Sequence, residues 1–445
     1  MNKIAFMGAG STGFAKRILG DCIVTPAIED MHIALYDIDP VRLEDSRMML
    51  ENILHNSGRR DVTVVATMDR IEALRDARFV INVIQVGGYK PCTVTDFEIP
   101  KKYGLRQTIA DTLGVGGIFR AMRTIPVLED FARDMEKVCP NALLINYTNP
   151  LAMVAGYMQR YTGINTVGLC HSVQFVAQEL LEEVGLKEYV GKTRWKAAGI
   201  NHQSWLLTIE DMDGNDLYPE IKRRSMLMRD GKMEPGDHFF KDDLVRHEMM
   251  HQFGYFVTES SEHTSEYTPW FIKNAHPELI ERYRIPLDEY PRRCEEQIKD
   301  WEKMRNDIVL NTNLMHEKSY EFAVFMMEAM ITDVPTRVYG NVQNTGLIPN
   351  LPREACVEVP CMIDRNGVNP CYVGNLPEQC ASVNRTNVNV QLCAIEGMHK
   401  RKKSYIYQAA LLDPHTSSEL TIDEIRSMVD DLFEAHRDWL PEYSD

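Results

Sequence analysis

The sequence predicts an α/β protein in which an N-terminal parallel sheet is followed by a mixed α+β lobe. Three observations carry that expectation. Short β-branched or aliphatic runs alternate with helix-length amphipathic stretches over the first 170 residues. A Gly-x-Gly-x-x-Gly loop follows the first of these runs. From Asn201 onward the pattern changes to charged, aromatic-rich stretches and turns built from Gly, Asn and Pro.

Taken in order, strands are expected at 3–7, 33–36, 62–66, 79–84, 143–145 and 166–169. The segments 40–55 and 124–138 carry apolar residues at helical spacing, as the crossover helices of a parallel sheet should. A further helical run, 14–19, opens directly after the glycine loop. In the second half a long helix is expected near 287–308, and 337–377 mixes strand-like runs with turns. Two units are therefore expected, 1–195 and 196–445, with the boundary falling somewhere around residues 170–200.

The 445 residues are 44% hydrophobic and 26% charged, an ordinary globular composition that excludes disorder, collagen and coiled coil. Forty-nine basic against 65 acidic residues give a net charge of −16, which disfavours binding to nucleic acid or an anionic membrane. A neutral or metal-escorted small molecule suits that charge better. Ten irregularly spaced cysteines without a CxxC pair suggest neither a disulfide framework nor a zinc ribbon, so a reducing compartment is expected. The start of the chain lacks the pattern of a secretory signal, and no uninterrupted apolar run approaches the roughly 18 residues of a membrane span. A cytoplasmic location follows as the expectation.

Gly8-Ala9-Gly10-Ser11-Thr12-Gly13 stands between a strand and a helix, the context a dinucleotide site requires. The first glycine permits a tight turn, the second a close approach of backbone to pyrophosphate, and the third close packing of helix and strand. Ser11 and Thr12 sit where helix-terminal N–H groups face phosphates. Asp37 ends the second strand about 24 residues past Gly13, the spacing at which an acid binds a ribose 2′-hydroxyl and repels a 2′-phosphate. NAD is therefore expected rather than NADP, on a Rossmann-like unit. Asp39 reads as a turn or N-cap residue, and Gly87-Gly88 as a ligand-facing strand end or a plain turn.

Four polar clusters lie at or just beyond strand ends: Asp111-Thr112-Leu113-Gly114-Val115-Gly116-Gly117, Asn146-Tyr147-Thr148-Asn149-Pro150, Gly168-Leu169-Cys170-His171-Ser172-Val173 and Gly199-Ile200-Asn201-His202. One cysteine and two histidines here could ligate a metal, although a buried thiol and hydrogen-bonded histidines would look the same.

The ordered set GAGST, Asp37, VGGY, ADTLG, NYTNP, CHSV and GINH resembles the NAD- and metal-dependent glycoside hydrolases of family 4. The likeness continues through Ser260 to Phe271 and into the Ile348-Pro349-Asn350 and Val357-Glu358-Val359 stretches, covering nearly the whole chain. His171, in CHSV, is similar to the melibiose-type α-galactosidase subgroup, whereas members acting on 6-phosphosugars carry Asp or Asn there.

That resemblance implies hydrolysis of terminal α-galactosides without net redox change. The C3 hydroxyl is oxidised by hydride transfer to NAD+, a base takes the acidified C2 proton, and the C1 substituent is eliminated. Water then adds, and C3 is reduced again. A divalent ion, usually Mn2+, assists as Lewis acid. Carried over residue by residue, Cys170 and His202 become metal ligands, Asn149 a holder of sugar hydroxyls and His171 the acid at O1. Tyr267 becomes the base, with its pKa lowered by metal and surroundings and with Asp111 accepting its proton or orienting it. Glu259 and His263 stay open as alternative bases. Arg120 and Arg123 read as cofactor or substrate contacts, or as a solvated helix face.

The partner is then a small sugar, and the chain a homodimer or homotetramer. Glucosides, glucuronides and galacturonides remain open as substrates. So do a plain NAD-dependent hydroxy acid or polyol dehydrogenase, which would yield stoichiometric NADH, and an NAD-retaining sensor that turns nothing over.

Overall fold

The computed structural model describes residues 2–236 and 243–445. The first half contributes six strands, β1 (Asn2–Met7), β2 (Met31–Tyr36), β3 (Val62–Thr67), β4 (Phe79–Asn82), β5 (Leu143–Asn146) and β6 (Thr166–Gly168). They pair in parallel in the order β3-β2-β1-β4-β5-β6. This is the doubly wound arrangement, whose winding reverses between β1 and β4 and opens a crevice at the strands' C-terminal ends.

Alternation along β1 divides the core. Ile4 and Phe6 pack on one face with Ile18 and Leu19 of the helix Thr12–Ile23 and with Met49 and Leu50 of Pro40–Ser57. Ala5 and Met7 face Ile118, Met122 and Ile125 of the helix Gly114–Val138. That last helix starts ten residues before its expected beginning at 124. Its glycines are packing residues, since a Cβ on Gly116 would stand 2.5 Å from the Ala110 carbonyl oxygen and one on Gly117 2.9 Å from the Thr112 carbonyl carbon. A loop composition thus lets a helix end press on the 110–112 turn.

The remaining strands are β7 (Thr193–Ile200), β8 (Gln203–Asp211), β9 (Phe256–Val257), β10 (Thr336–Gln343), β11 (Cys356–Asp364) and β12 (Gly367–Pro370). They do not form a sheet of their own. The same sheet runs on from β6 through β10, β11, β7, β8 and β9, with β12 on β11. Two single-pair junctions make this possible, Asn341 with Gly168 and Glu358 with Gly199, both antiparallel. Gly168 suits the first, because a Cβ there would lie 2.5 Å from Leu151 Cδ2 and 3.0 Å from the Cβ of Asn341.

The helix expected at 287–308 spans Glu289–Ile308 and buries only Glu289. Side chains tie it along its length to the first half: Tyr290 to Arg120, Glu295 to Tyr89 and Arg305 to Asp45. Among the described residues no helix is long and apolar enough to cross a membrane.

Candidate active site

The glycine loop closes on the end of β2. Gly8 and Ala9 donate backbone N–H groups to the Tyr36 carbonyl, and the Gly10 N–H donates to Asp37 Oδ2 at 2.6 Å. Gly8 has φ +94°, and a Cβ there would lie 2.9 Å from the Ile84 nitrogen, so the turn is tight against the end of β4. Gly13 departs from its expected packing role. A Cβ on it would meet nothing within 4 Å, so its small size leaves open space at the first turn of the helix. Ser11 supplies no side-chain cap to Thr12–Ile23, leaving the first-turn N–H groups for an anion such as a pyrophosphate. Asp37 also accepts from the Asp39 N–H, and Asp39 caps the next helix through Val41 and Arg42. A carboxylate with two such bonds retains lone pairs for ribose hydroxyls.

Cys170 follows β6, and His202 sits at the tip of the two-residue hairpin turn joining β7 to β8, where Ile200 pairs with Gln203. The turn holds His202 at φ +59°, a left-handed conformation uncommon for histidine. Glu259, just past β9, completes a cluster in which one donor atom from each residue lies within 4.8 Å of the others. His202 Nε2 is 3.2 Å from Glu259 Oε2, and Cys170 Sγ is 3.9 Å from the same oxygen. His202 Nδ1 is buried without a hydrogen-bond partner.

Burial opposes ionisation of Glu259, yet His202, His263 and the Ser260 N–H prevail and bring its carboxyl down to about 2. Burial, Glu259 and Glu358 drive the Cys170 thiol far up. A thiolate here needs a cation beside it, and a cysteine, a histidine and a carboxylate converging on one point are a donor set that fits a divalent ion.

Beside this cluster lies an acid–base pocket. Asp111 Oδ2 accepts from Asn149 Nδ2 at 3.0 Å, and its Oδ1 is 3.7 Å from His263 Nε2. Burial opposes its ionisation, but His263 and Arg120 hold Asp111 well below the usual carboxylate range. Ala110, at φ +52°, aims it inward. Glu266 fixes that loop by accepting the N–H groups of Thr108, Ile109 and Ala110. Arg120 Nε donates to the Asn149 carbonyl at 3.2 Å, while Arg123 is clamped by Asp96 and the Val86 carbonyl. Both arginines are buried, so the solvated-face reading fails for them.

Tyr267 closes this pocket at the end of the helix Ser261–Glu266. Its hydroxyl is buried without a hydrogen bond of good geometry. Burial and the charges of Asp111, Glu259 and Glu266 push its pKa well above 10. The expected lowering by protein surroundings is therefore corrected: these surroundings raise it, and Asp111 is a charged neighbour of Tyr267 rather than its hydrogen-bond partner. His263 stands between Asp111 and Glu259, its ring 4.4 Å from that of His202.

His171 turns to another wall. It stacks on Tyr147 at 5.5 Å and lies 6.1 Å from Phe14 of the glycine-loop helix, while its Nε2 is 2.8 Å from Glu321 Oε2.

Comparison with known proteins decides the family. Residues 3–186 match the model described as family 4 glycosyl hydrolase, and residues 197–416 that of the family 4 glycosyl hydrolase C-terminal domain. The chain belongs to glycosyl hydrolase family 4. It is 58% identical to an alpha-galactosidase of Bacillus subtilis (strain 168), covering 100% of both chains. It is 33% identical to an alpha-galactosidase of Rhizobium meliloti (strain 1021), over 99% of this chain and 90% of the other. In structure it is similar to a 6-phospho-alpha-glucosidase from gut microorganisms, solved in complex with NAD and Mn2+. The TM-score there is 0.80 at 21% identity, covering 100% of both chains.

Sequence reasoning about this family 4 chain did not find Glu259 as a neighbour of Cys170 and His202, nor Glu266, Glu321 and Glu358. Glu358 is fully buried, accepting from Ser204 at 2.7 Å and Asn341 at 3.0 Å. The available signals were the stretch from Ser260 to Phe271, which places Glu266 next to Tyr267, and Val357-Glu358-Val359, which holds Glu358; neither assigns its glutamate a role.

Proposed function

We propose that this chain hydrolyses terminal α-galactosides such as melibiose with NAD+ and a divalent ion, Mn2+ foremost. The observation that carries the reading is the convergence of Cys170, His202 and Glu259 beside Asn149 and Asp111. They share the strand-end side of the sheet with an uncapped glycine-loop helix. The 58% identity to an alpha-galactosidase supports the choice of sugar.

Asp37, the Gly8–Gly13 loop and the N–H groups after Ser11 would hold the dinucleotide, and Cys170 and His202, with Glu259 beside them, the ion. When bound, these groups supply a reversible hydride acceptor and a Lewis acid. Asn149 holds sugar hydroxyls, kept in place by its own bond to Asp111. Tyr267 is the residue assigned to take the C2 proton; His263 and Glu259 are the alternatives within the same pocket. His171 gives a proton to the departing O1 and recovers one when water adds. Residues 1–195 form the dinucleotide unit and 196–445 the substrate and oligomerisation unit of a homodimer or homotetramer. The free state of all ten cysteines supports a reducing, cytoplasmic setting.

Stripping NAD should abolish galactoside hydrolysis and adding it back should restore activity, with no NADH accumulating during turnover. Full activity without cofactor, or one NADH per substrate consumed, would overturn the reading.

A further inference from the structure

The carboxylate against His171 comes from far along the chain and is built in with care. Glu321 occupies the N-cap position of the helix Phe322–Thr332, yet its side chain makes no cap hydrogen bond. It turns instead to His171, with Oε2 2.8 Å from the ring Nε2 and 3.4 Å from the Tyr147 hydroxyl that donates to it. Its side chain is only 3% exposed, against 36% for that of His171.

The segment that carries Glu321 is pinned to the glycine-loop helix. Fully buried Asp21 accepts the Ser319 N–H at 2.8 Å and the Glu321 N–H at 3.2 Å, and meets His316 Nε2 at 2.6 Å. Gln174, one turn beyond His171, donates to the Tyr320 carbonyl at 2.8 Å. Glu321 and His171 are thus held to one frame by hydrogen bonds that do not involve the imidazole.

We propose that Glu321 is the positioning residue that fixes the ring of His171 with Nε2 as donor, leaving Nδ1 as the nitrogen that exchanges a proton with the leaving-group oxygen. A carboxylate only accepts, so the ring nitrogen facing it must carry hydrogen, and the other nitrogen is the one that exchanges a proton. During elimination the Nδ1 proton passes to O1 as the C1–O1 bond breaks, and the ring is left neutral with its Nε2 hydrogen on Glu321. When water adds, Nδ1 takes a proton from it and the ring returns to its starting state. The inference rests on the reading of His171 as the acid at O1, and its test separates the two.

The NAD- and Mn2+-loaded enzyme is assayed on melibiose, with its poor alkoxide leaving group, and on 4-nitrophenyl α-galactoside, which needs little protonation. His171→Ala should lower the melibiose-to-nitrophenyl ratio of kcat/KM by about 10²-fold or more. Glu321→Ala should lower it by about 10-fold or more, and the double variant no further than His171→Ala alone. Nitrogen NMR of histidine-labelled protein should show the Nε2–H form of neutral His171 in the wild type and a mixture with the Nδ1–H form in Glu321→Gln. That variant also serves if Glu321→Ala does not fold. A ratio unchanged by either Glu321 variant while His171→Ala collapses it, or an unaltered tautomer, overturns the inference and leaves the reading standing. A ratio unchanged in His171→Ala overturns both.

Discussion

His202 Nε2 stands 3.2 Å from Glu259 Oε2 although the two residues come from different turns, one at a hairpin tip and one past an edge strand. With Cys170 Sγ 3.9 Å from the same oxygen, a soft, a borderline and a hard donor meet at one place. On the proposed reading, Cys170→Ser with His202→Ala should lose bound manganese altogether. Glu259→Gln should weaken it by about 10–100-fold. Calorimetric titration of the metal into chelator-treated protein checks this, and undiminished stoichiometric binding by the double variant counts against it.

Glu259 also gives acid stability a defined direction. Its carboxyl lies at about 2 in the fold against an ordinary value of 4.5. A depressed carboxylate stabilises the fold fully above its unfolded pKa, and that contribution fades as pH falls from about 4.5 toward 2. In metal-free protein the wild type should exceed Glu259→Gln in unfolding free energy by on the order of 3 kcal/mol near pH 5, where the carboxylate faces charged imidazoles, a gap that closes with acidification. Denaturant melts at several pH values read it directly. A gap constant with pH would contradict this account.

Asp37 serves loop and ligand together, since it already accepts the Gly10 N–H. Asp37→Ala should raise the Kd for NAD by about 10–100-fold through loss of charge-assisted hydrogen bonds. Saturating NAD should restore most of kcat. Fluorescence titration suffices, and an unchanged Kd would place the ribose elsewhere.

If the C2 proton leaves to a base, galactoside deuterated at C2 should show a primary isotope effect or wash out its label into solvent. Tyr267→Phe should slow that step by about 10²–10⁴-fold with NAD binding intact. Wild-type turnover in Tyr267→Phe would pass the role to His263 or Glu259.

Glu266 accepts three buried N–H groups of the loop that aims Asp111. Glu266→Ala should destabilise the protein by roughly 2–4 kcal/mol. Thermal melts measure this, and no change in Tm would mean that the loop is held by its other contacts.

Much of this architecture was legible because its signals are local. Six aliphatic runs, a glycine loop and Asp37 at a set spacing prescribe the parallel half, and each strand falls within a few residues of its expected span. Cys170, His202, Asn149 and Asp111 sit in compact polar clusters that are visible one at a time. Their convergence was not visible, because it depends on β10 and β11 entering beside β6. Glu321 lies 150 residues from His171, and no periodicity links the two. The left-handed turn at His202 was equally hidden, since nothing in Gly-Ile-Asn-His demands it.

The junction of β6 with β10 bears on how the protein comes off the ribosome. Gly168 waits for Asn341, 173 residues later. At typical synthesis rates that is a delay on the order of 10–30 s, in which the sixth strand keeps an open edge. The first half can nucleate its own core early, but that edge is a template for another nascent chain until the partner strand is made. Expression of 1–195 alone makes the exposure permanent, so such a fragment should aggregate where the whole chain does not. Chaperone demand during production should likewise fall most heavily on the interval between β6 and β10.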